Sequence, residues 1–572
     1  MKLLRIDMEE KAVRSETIPE HYLGKAGRGL TAAIINREVP AQCDPLSGDN
    51  KLVIAPGLLS GTSMVNAGRL SVGAKSPLTG GIKESNAGGR AACYLGRMGI
   101  SAIVVEGQAN DNNLWVLHVK SDGSGTLENA EEFRGMRTYG LAERLLERYG
   151  QKASVVCIGP AGEYKMPIAS IQTTDLDGQP CRAAGRGGLG AVFGAKGLKA
   201  IVIEPSKGGT GAVSDPESFK EAVKNFAAVI KKNPFSGKVL PKLGTASLVA
   251  VVNQMGAFPC RNATIGEMDG WENISGDRLA ELIQQRGGQT THKGCLQCII
   301  DCSNRYVDTQ GRYLTGSLEY ETIWSMGGMT GIDDLDTIAK LDFLCDDIGL
   351  DTMSAGVAIS VAMDAGYREF GDGPGALSML AEIAEGTDLG VVLGNGPNAV
   401  GEHFGHHRIP TVKKQSIAGY DPRAMQGMAV TYATSPMGAD HTAGNLIGIY
   451  SAGKMDPLKK EGQIEASRTA QFTVASLDCT GLCLFTLAAV NHPDGQKALF
   501  KAVSAKLGRE FGQEEYAALG YEVLRIEKEF NEKAGFTRKD DRLPPFFYSE
   551  SLPPHNQVAL IGDKEMEEVL RF

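Results

Sequence analysis

The stretch Gly294–Asn304 reads GCLQCIIDCSN and places three of the chain's eleven cysteines within eight residues. Their spacing is Cys295-x2-Cys298-x3-Cys302. Thiolates this close converge on one small object once the backbone turns around it, either a metal ion or an iron–sulfur cluster. Three ligands leave one place to fill. A second pair lies far downstream in DCTGLC, Asp478–Cys483, where Cys479 or Cys483 can complete the set. A structural zinc site usually takes two tight pairs. An x2-then-x3 triple with one distant cysteine fits a [4Fe–4S] cluster better.

Around this stretch lies a chain of 572 residues, long enough for two to four domains. Its net charge is −9, which favours neither nucleic acid nor an anionic membrane as partner. No signal peptide is indicated at MKLLRIDMEE, and no apolar run reaches the eighteen residues of a membrane span. The expected location is the cytoplasm, where eleven cysteines are not a disulfide framework. Six of them stand singly (Cys43, Cys93, Cys157, Cys181, Cys260, Cys345) and read as small packing residues.

Residues 1–208 read as a sheet-rich domain. β-branched runs recur at Lys51–Ala55, Ser101–Glu106, Leu114–Val119, Ser154–Ile158 and Ala200–Glu204, with dense turn chemistry between them. The clearest helix among them is Thr138–Tyr149. Pro205–Val213, PSKGGTGAV, reads as a linker. A helix follows it, capped by Asp215, with Pro216 at its first position and an apolar stripe of Phe219, Val223, Phe226 and Ile230. From there the chain is mostly helical, with further helices over Asp334–Asp347, stopping at Gly349, and Glu514–Ala534, stopping at Gly535. A softer boundary near residue 410 divides this part into domains 209–410 and 411–572. The fold class is α+β, and no internal repeat is visible.

Glycine is enriched, 72 of 572 residues, and collects in short clusters suited to backbone that approaches a ligand. Ala183–Leu198, AAGRGGLGAVFGAKGL, has six glycines with Arg182 before it and Arg186 and Lys196 within. Exposed N–H groups beside cations suit a phosphate, although neither a P-loop nor a G-x-G-x-x-G pattern is present. Arg69–Gly89 mixes Arg69, Lys75, Asn86 and two Gly-Gly pairs in what is otherwise a decorated turn. Asp346, Asp347 and Asp351 surround a glycine turn at a helix end, where carboxylates can accept from a heterocycle. Glu319 and Glu321 in SLEYETIW, and His441 in ATSPMGADHTAG, are the candidates for proton chemistry.

Taken together these stretches resemble the aldehyde:ferredoxin oxidoreductase family of tungsten enzymes, a minority of which use molybdenum. The resemblance spans essentially the whole chain. It rests on the cysteine triple, AAGRGGLGAVFGAKGLKAI, D-x-x-G-x-D, D-x-x-G-L-C and FNEKAGFTRKDDRLP. It implies tungsten (or molybdenum) held by two pterins joined through Mg2+. It also implies an N-terminal β-rich base for those pterins under two helical domains. By this resemblance Cys295, Cys298, Cys302 and Cys483, rather than Cys479, hold the [4Fe–4S] cluster. Arg69, Asn86, Gly88, Arg182, Ala183, Ala184, Gly185, Arg186, Asp346, Leu350, Asp351, Asp478 and Leu484 contact the pterins, with Asn86 near the magnesium. Glu321 and His441 face the substrate, with Glu319 the fallback acid.

The implied reaction is oxidation of an aldehyde to a carboxylic acid, with electrons relayed through the cluster to ferredoxin or a small Fe–S subunit. Reduction of acids or thioesters on the same cofactor is the alternative direction. A zinc- or cluster-bearing structural or electron-carrier protein is the alternative of another class. Two positions depart from the family pattern. Met437 stands where arginine is frequent. Lys340 stands where some members place a glutamate for an iron between subunits, so no such iron is expected and a homodimer is left open.

Overall fold

A computed structural model describes residues 1–209 and 211–572. The N-terminal part holds twelve strands: β1 (Lys2–Asp7), β2 (Ala12–Thr17), β3 (Leu52–Pro56), β4 (Leu70–Lys75), β5 (Ile82–Ala87), β6 (Ile100–Glu106), β7 (Trp115–Val119), β8 (Gly125–Asn129), β9 (Ser154–Cys157), β10 (Ile171–Thr173), β11 (Arg182–Ala184) and β12 (Leu198–Ile203). They form two six-stranded sheets ordered β2-β1-β6-β3-β4-β5 and β11-β10-β9-β12-β7-β8. Only β1/β6 and β7/β12 pair in parallel. Replacing β1–β6 by β7–β12 in order converts one sheet into the other.

The expectation of no internal repeat is therefore corrected. The match also shows in sequence: GRMGISAIVVE at Gly96–Glu106 parallels GAKGLKAIVIE at Gly194–Glu204, each running from a short helix into the sixth strand of its half. The first glycine of each copy serves the same packing. A Cβ on Gly96 would lie 2.3 Å from Ser60 O, and one on Gly194 would lie 2.1 Å from Gly162 O. Each helix therefore rests directly on the backbone that joins the third and fourth strands of its half. Side chains elsewhere have diverged enough to hide the duplication.

The sheets are near-continuously apolar because both faces of each are covered. Leu4, Ile54, Ile103, Leu117, Val156 and Ile201 share one core between the sheets. The opposite faces meet helices, Gly27–Glu38 on the first sheet and Thr138–Tyr149 on the second. The first of these is absent from the sequence expectations. Gly27 through Ile35 are all buried, so it carries no polar stripe to betray a helical period.

The helical part forms as its caps dictate. Asp215 accepts from Ser218 N at 3.1 Å, and Phe219, Phe226 and Ile230 are buried along Pro216–Lys232. Asp334 caps Leu335–Ile348, which ends at Gly349 with φ 81°. One apolar core runs through Phe258, Trp324, Ile359, Met428 and Phe547. A separate core joins the helix Pro216–Lys232 to Pro493–Leu507 around the cysteine loop. Among the described residues no single helix is long and apolar enough to cross a membrane.

Candidate active site

A cavity of about 1430 Å³ opens where the double sheet meets the helical part. The far end of β5, the strand β11 with its following glycines, the turn after Leu335–Ile348, and the loops at Glu321, His441 and Cys483 all reach it. Every residue the resemblance assigned to the site lines it except Ala184, whose methyl group is buried in the core between the sheets; Asp347 instead accepts from Tyr139 N at 3.2 Å, and Lys196 donates to Ser47 O and Gly48 O at 3.1 Å.

The cysteine loop and the distant Cys483 are joined by Asn66. Its Nδ2 donates to Cys298 Sγ at 3.2 Å, its N donates to Gln297 O at 3.0 Å, and its O accepts from Cys483 N at 2.9 Å. Burial, followed by the neighbouring Cys295 and Cys483, pushes the Cys298 thiol up to about 12. Burial also raises Cys302 and Cys483. Among the described residues, no three of these four sulfurs lie within 4.8 Å of one another. Cys479 points elsewhere, its Sγ bonding Ala475 O at 3.2 Å inside its own helix. Gly88 and Gly294 fit against this loop because they lack side chains. A Cβ on Gly88 would lie 2.5 Å from Cys295 Sγ, and one on Gly294 would lie 1.9 Å from Arg182 Nη2.

On the sheet side, Arg69 donates from Nε to Asn86 Oδ1 and from Nη2 to Asn86 O. Arg186 reaches Ala439 O at 2.9 Å and Ser416 Oγ at 2.7 Å. The Nε groups of Arg182 and Arg186 are buried without a hydrogen-bond partner in the protein. Beside them Gly187 and Gly188 take φ of 83° and 72°. Asp351 is committed locally, accepting from Met353 N at 3.1 Å and Ser354 N at 3.2 Å as the cap of Thr352–Asp364. Asp478 receives Arg28 Nη1 at 3.2 Å, and burial with nearby Glu84 pushes its carboxyl up to about 8. Met437, at the departing position, accepts from Glu84 N through Sδ at 3.2 Å.

Glu321 and His441 meet across the chain, with Glu321 Oε1 3.3 Å from His441 Nε2. Glu321 Oε2 accepts from Gly419 N at 2.9 Å. Glu321 Oε1 and His441 Nδ1 have no hydrogen-bond partner, so the Glu321–His441 approach is close but not aligned. Burial raises the Glu321 carboxyl, with His441 and the Gly419 N–H opposing it. Glu319, the fallback acid, is tied instead to Thr245 Oγ1 at 2.5 Å and to Ser317.

Several lining residues carried no sequence signal. Asp440 accepts from the buried Lys83 Nζ at 2.8 Å and from Thr442 N at 3.0 Å. Burial opposes its ionisation, but Lys83, Arg186 and His441 outweigh burial and hold it well below the usual carboxylate range. Asp342, one helical turn before Asp346, accepts from Thr315 Oγ1 at 2.6 Å, and burial pushes it up to about 7. Cys181, read from sequence as a packing residue, also lines the cavity. Asp440, next to His441, and Cys181, next to Arg182, each had a neighbour that pointed to it.

Two family models divide the chain between them. One is the aldehyde ferredoxin oxidoreductase N-terminal domain, over residues 3–205, and the other is domains 2 and 3 of the same family, over residues 221–571. The chain belongs to the aldehyde ferredoxin oxidoreductase family. It is 34% identical to the tungsten-containing aldehyde ferredoxin oxidoreductase of Pyrococcus furiosus, covering 99% of this chain and 94% of that one. The namesake enzyme of Thermococcus kodakarensis is also 34% identical, with the same coverage. The WOR-like subunit of an aliphatic sulfonate oxidoreductase from Pyrococcus furiosus is 25% identical over 96% of this chain and 90% of that one. Among solved structures, the active-site complex BamBC of benzoyl coenzyme A reductase with 1,5-dienoyl-CoA superposes with a TM-score of 0.79. It covers all of this chain and 93% of its own at 20% identity, a likeness of fold. The family member described here is an oxidoreductase with an α+β fold.

Proposed function

We propose that this enzyme is a tungsten (or molybdenum) bis-pterin oxidoreductase that oxidises aldehydes to carboxylic acids and passes the electrons through a [4Fe–4S] cluster to ferredoxin or a small Fe–S subunit. The observation that carries this reading is the convergence of the Glu321–His441 pair, four thiols and two guanidinium Nε groups without hydrogen-bond partners, Arg186 Nε lying 3.6 Å from Asp351 Oδ2, on one cavity. The residues present fit the groups the family implies. Four thiolates around one zinc ion would sit about 3.8 Å apart, from Zn–S bonds of about 2.3 Å in a tetrahedron. The x2-then-x3 loop with one distant thiol suits a [4Fe–4S] cluster better than such a site. Arg182 and Arg186 Nε, with the Gly187–Gly188 backbone, suit the pterin phosphates bridged by Mg2+.

The overall reaction is R–CHO + H2O → R–COOH + 2 H⁺ + 2 e⁻. When bound, the pterin-held metal supplies the two-electron acceptor, and the cluster relays those electrons one at a time. The chain's part is proton handling and orientation. Glu321 Oε1, free of partners, is the acceptor for the proton that water releases as it adds to the carbonyl carbon. His441 Nε2, 3.3 Å away, is placed to take that proton onward, while Nδ1 is available to the carbonyl oxygen. Tyr320 and Tyr420 close the wall behind this pair and exclude bulk water.

Metal analysis of the purified protein tests the assignment: tungsten or molybdenum with about four irons per chain is expected. Zinc alone would overturn it. A panel of aldehydes with a viologen acceptor then defines the substrate.

A further inference from the structure

The thiol site lines the cavity, to which Cys295, Cys302 and Cys483 are partly exposed. The segment that wraps its outer side is Ile230–Gly244, IKKNPFSGKVLPKLG, with four lysines and no acidic residue. In a chain of net charge −9 this is a local reversal of sign. Asn233 and Phe235 line the cavity beside the cysteines, and Phe235 packs in the same apolar cluster as Cys295, Cys298 and Cys302. At the segment's end, a Cβ on Gly244 would lie 3.0 Å from Cys302 O. Thr291 Oγ1 donates to Pro241 O at 2.8 Å, which brings Lys293, just before the cysteine loop, to the same face.

Lys231, Lys232, Lys238, Lys242 and Lys293 are all exposed, and among the described residues none has a carboxylate within ion-pair distance. What sets the group apart is its density: Lys231, Lys232, Lys238 and Lys242 fall within twelve residues with no acidic residue among them. A group of unpaired lysines raises the local positive potential, which steers an oppositely charged partner and orients it on arrival.

We propose that this lysine face is the docking surface for an acidic electron-carrier protein, which it brings over the four-thiol site. The inference rests on the function proposed above and adds where its electrons leave the chain. Each carrier takes one electron, so two oxidised carriers become reduced for every aldehyde converted with one water to acid and two protons.

The test uses the full-length enzyme and the variant K231E/K232E/K238E/K242E, with an acidic bacterial 2[4Fe–4S] ferredoxin as probe. Binding is followed by biolayer interferometry, and turnover by ferredoxin reduction and, separately, by viologen reduction. For the native chain, binding and kcat/KM for ferredoxin should fall at least about tenfold between low salt and about 0.3 M salt, as screening predicts. The variant should lose about tenfold or more in both at low salt and retain its viologen rate. Equal ferredoxin binding and equal ferredoxin turnover in the two proteins would overturn the docking face. Absence of viologen-linked aldehyde oxidation in the native chain would instead count against the proposed reaction, and the binding comparison would still decide the docking face.

Discussion

Lys83 Nζ lies 2.8 Å from Asp440 Oδ2, and the pair is buried where strand β5 of the first sheet meets the His441 loop. Asp440 in turn receives Thr442 N and Thr442 Oγ1, so the ion pair fixes the residues on both sides of His441. Replacing Lys83 with methionine removes the cation and leaves a carboxylate buried beside Arg186. Breaking a buried pair in this way costs about 3–5 kcal/mol. Lys83→Met is expected to lower stability by that order in urea unfolding. The native pair behaves as a depressed carboxylate does. Its stabilisation is complete above the unfolded carboxylate range and is lost only at strongly acid pH. In the variant that loss should move to higher pH.

Glu321 gives the pH dependence of turnover. Burial raises its carboxyl, so its basic form appears only as pH rises past the ordinary carboxylate range. The acid limb of kcat/KM for aldehyde oxidation should therefore lie above that of an exposed glutamate. Glu321→Gln keeps an oxygen to accept from Gly419 N and removes the base. The expected loss is about 10²–10⁴-fold in kcat, with the acid limb abolished and the melting temperature little changed. A retained acid limb in the variant would assign it to another group.

How much of this was legible beforehand divides along physical lines. Cys295, Cys298 and Cys302 announce themselves because three ligands of one object sit on one short loop. Gly88 and the Gly187–Gly188 turn announce themselves because backbone that packs this closely tolerates no side chain. Lys83, Asp342 and Arg28 gave no signal. Each acts through a partner distant in sequence, and a buried ion pair leaves no periodicity behind. The helix Gly27–Glu38 was hidden because it is buried on most sides, and the sheet duplication because only one strand and its preceding turn keep matching residues.

The cysteine site separates the two redox elements. Cys483 N donates to Asn66 O at 2.9 Å, and Cys483 O accepts from Thr486 N at 2.9 Å and Thr486 Oγ1 at 2.7 Å. Cys483→Ser should lower iron per chain while leaving tungsten or molybdenum bound, and should slow electron delivery to acceptors. Gly88→Ala acts on the same loop by a different route. The added methyl group would stand 2.5 Å from Cys295 Sγ and 3.2 Å from Arg69 Nη1. Overpacking of this kind costs about 1–3 kcal/mol. Iron content should fall together with the melting temperature in Gly88→Ala, whereas Cys483→Ser should lose iron with a smaller change in melting. Simultaneous loss of all metals in Cys483→Ser would show that the cluster supports the pterin site structurally.

Asp342 supplies a prediction that depends on neither metal. It is buried, its one short bond is from Thr315 Oγ1, and its carboxyl is pushed up to about 7 by burial first, with Glu319 adding to the effect. A carboxyl whose folded value is raised binds its proton more tightly in the native state than in the unfolded chain. Its contribution is therefore complete below the unfolded carboxylate range and declines as pH climbs toward 7. Asp342→Asn keeps the size and the acceptor for Thr315 and cannot ionise. The variant should match the native chain near pH 4 and become the more stable of the two as pH approaches 7. Urea unfolding at several pH values measures the difference directly. A stability gap that does not change with pH would show that Asp342 ionises as an ordinary surface acid does, with its charge met by a group not apparent from its neighbours.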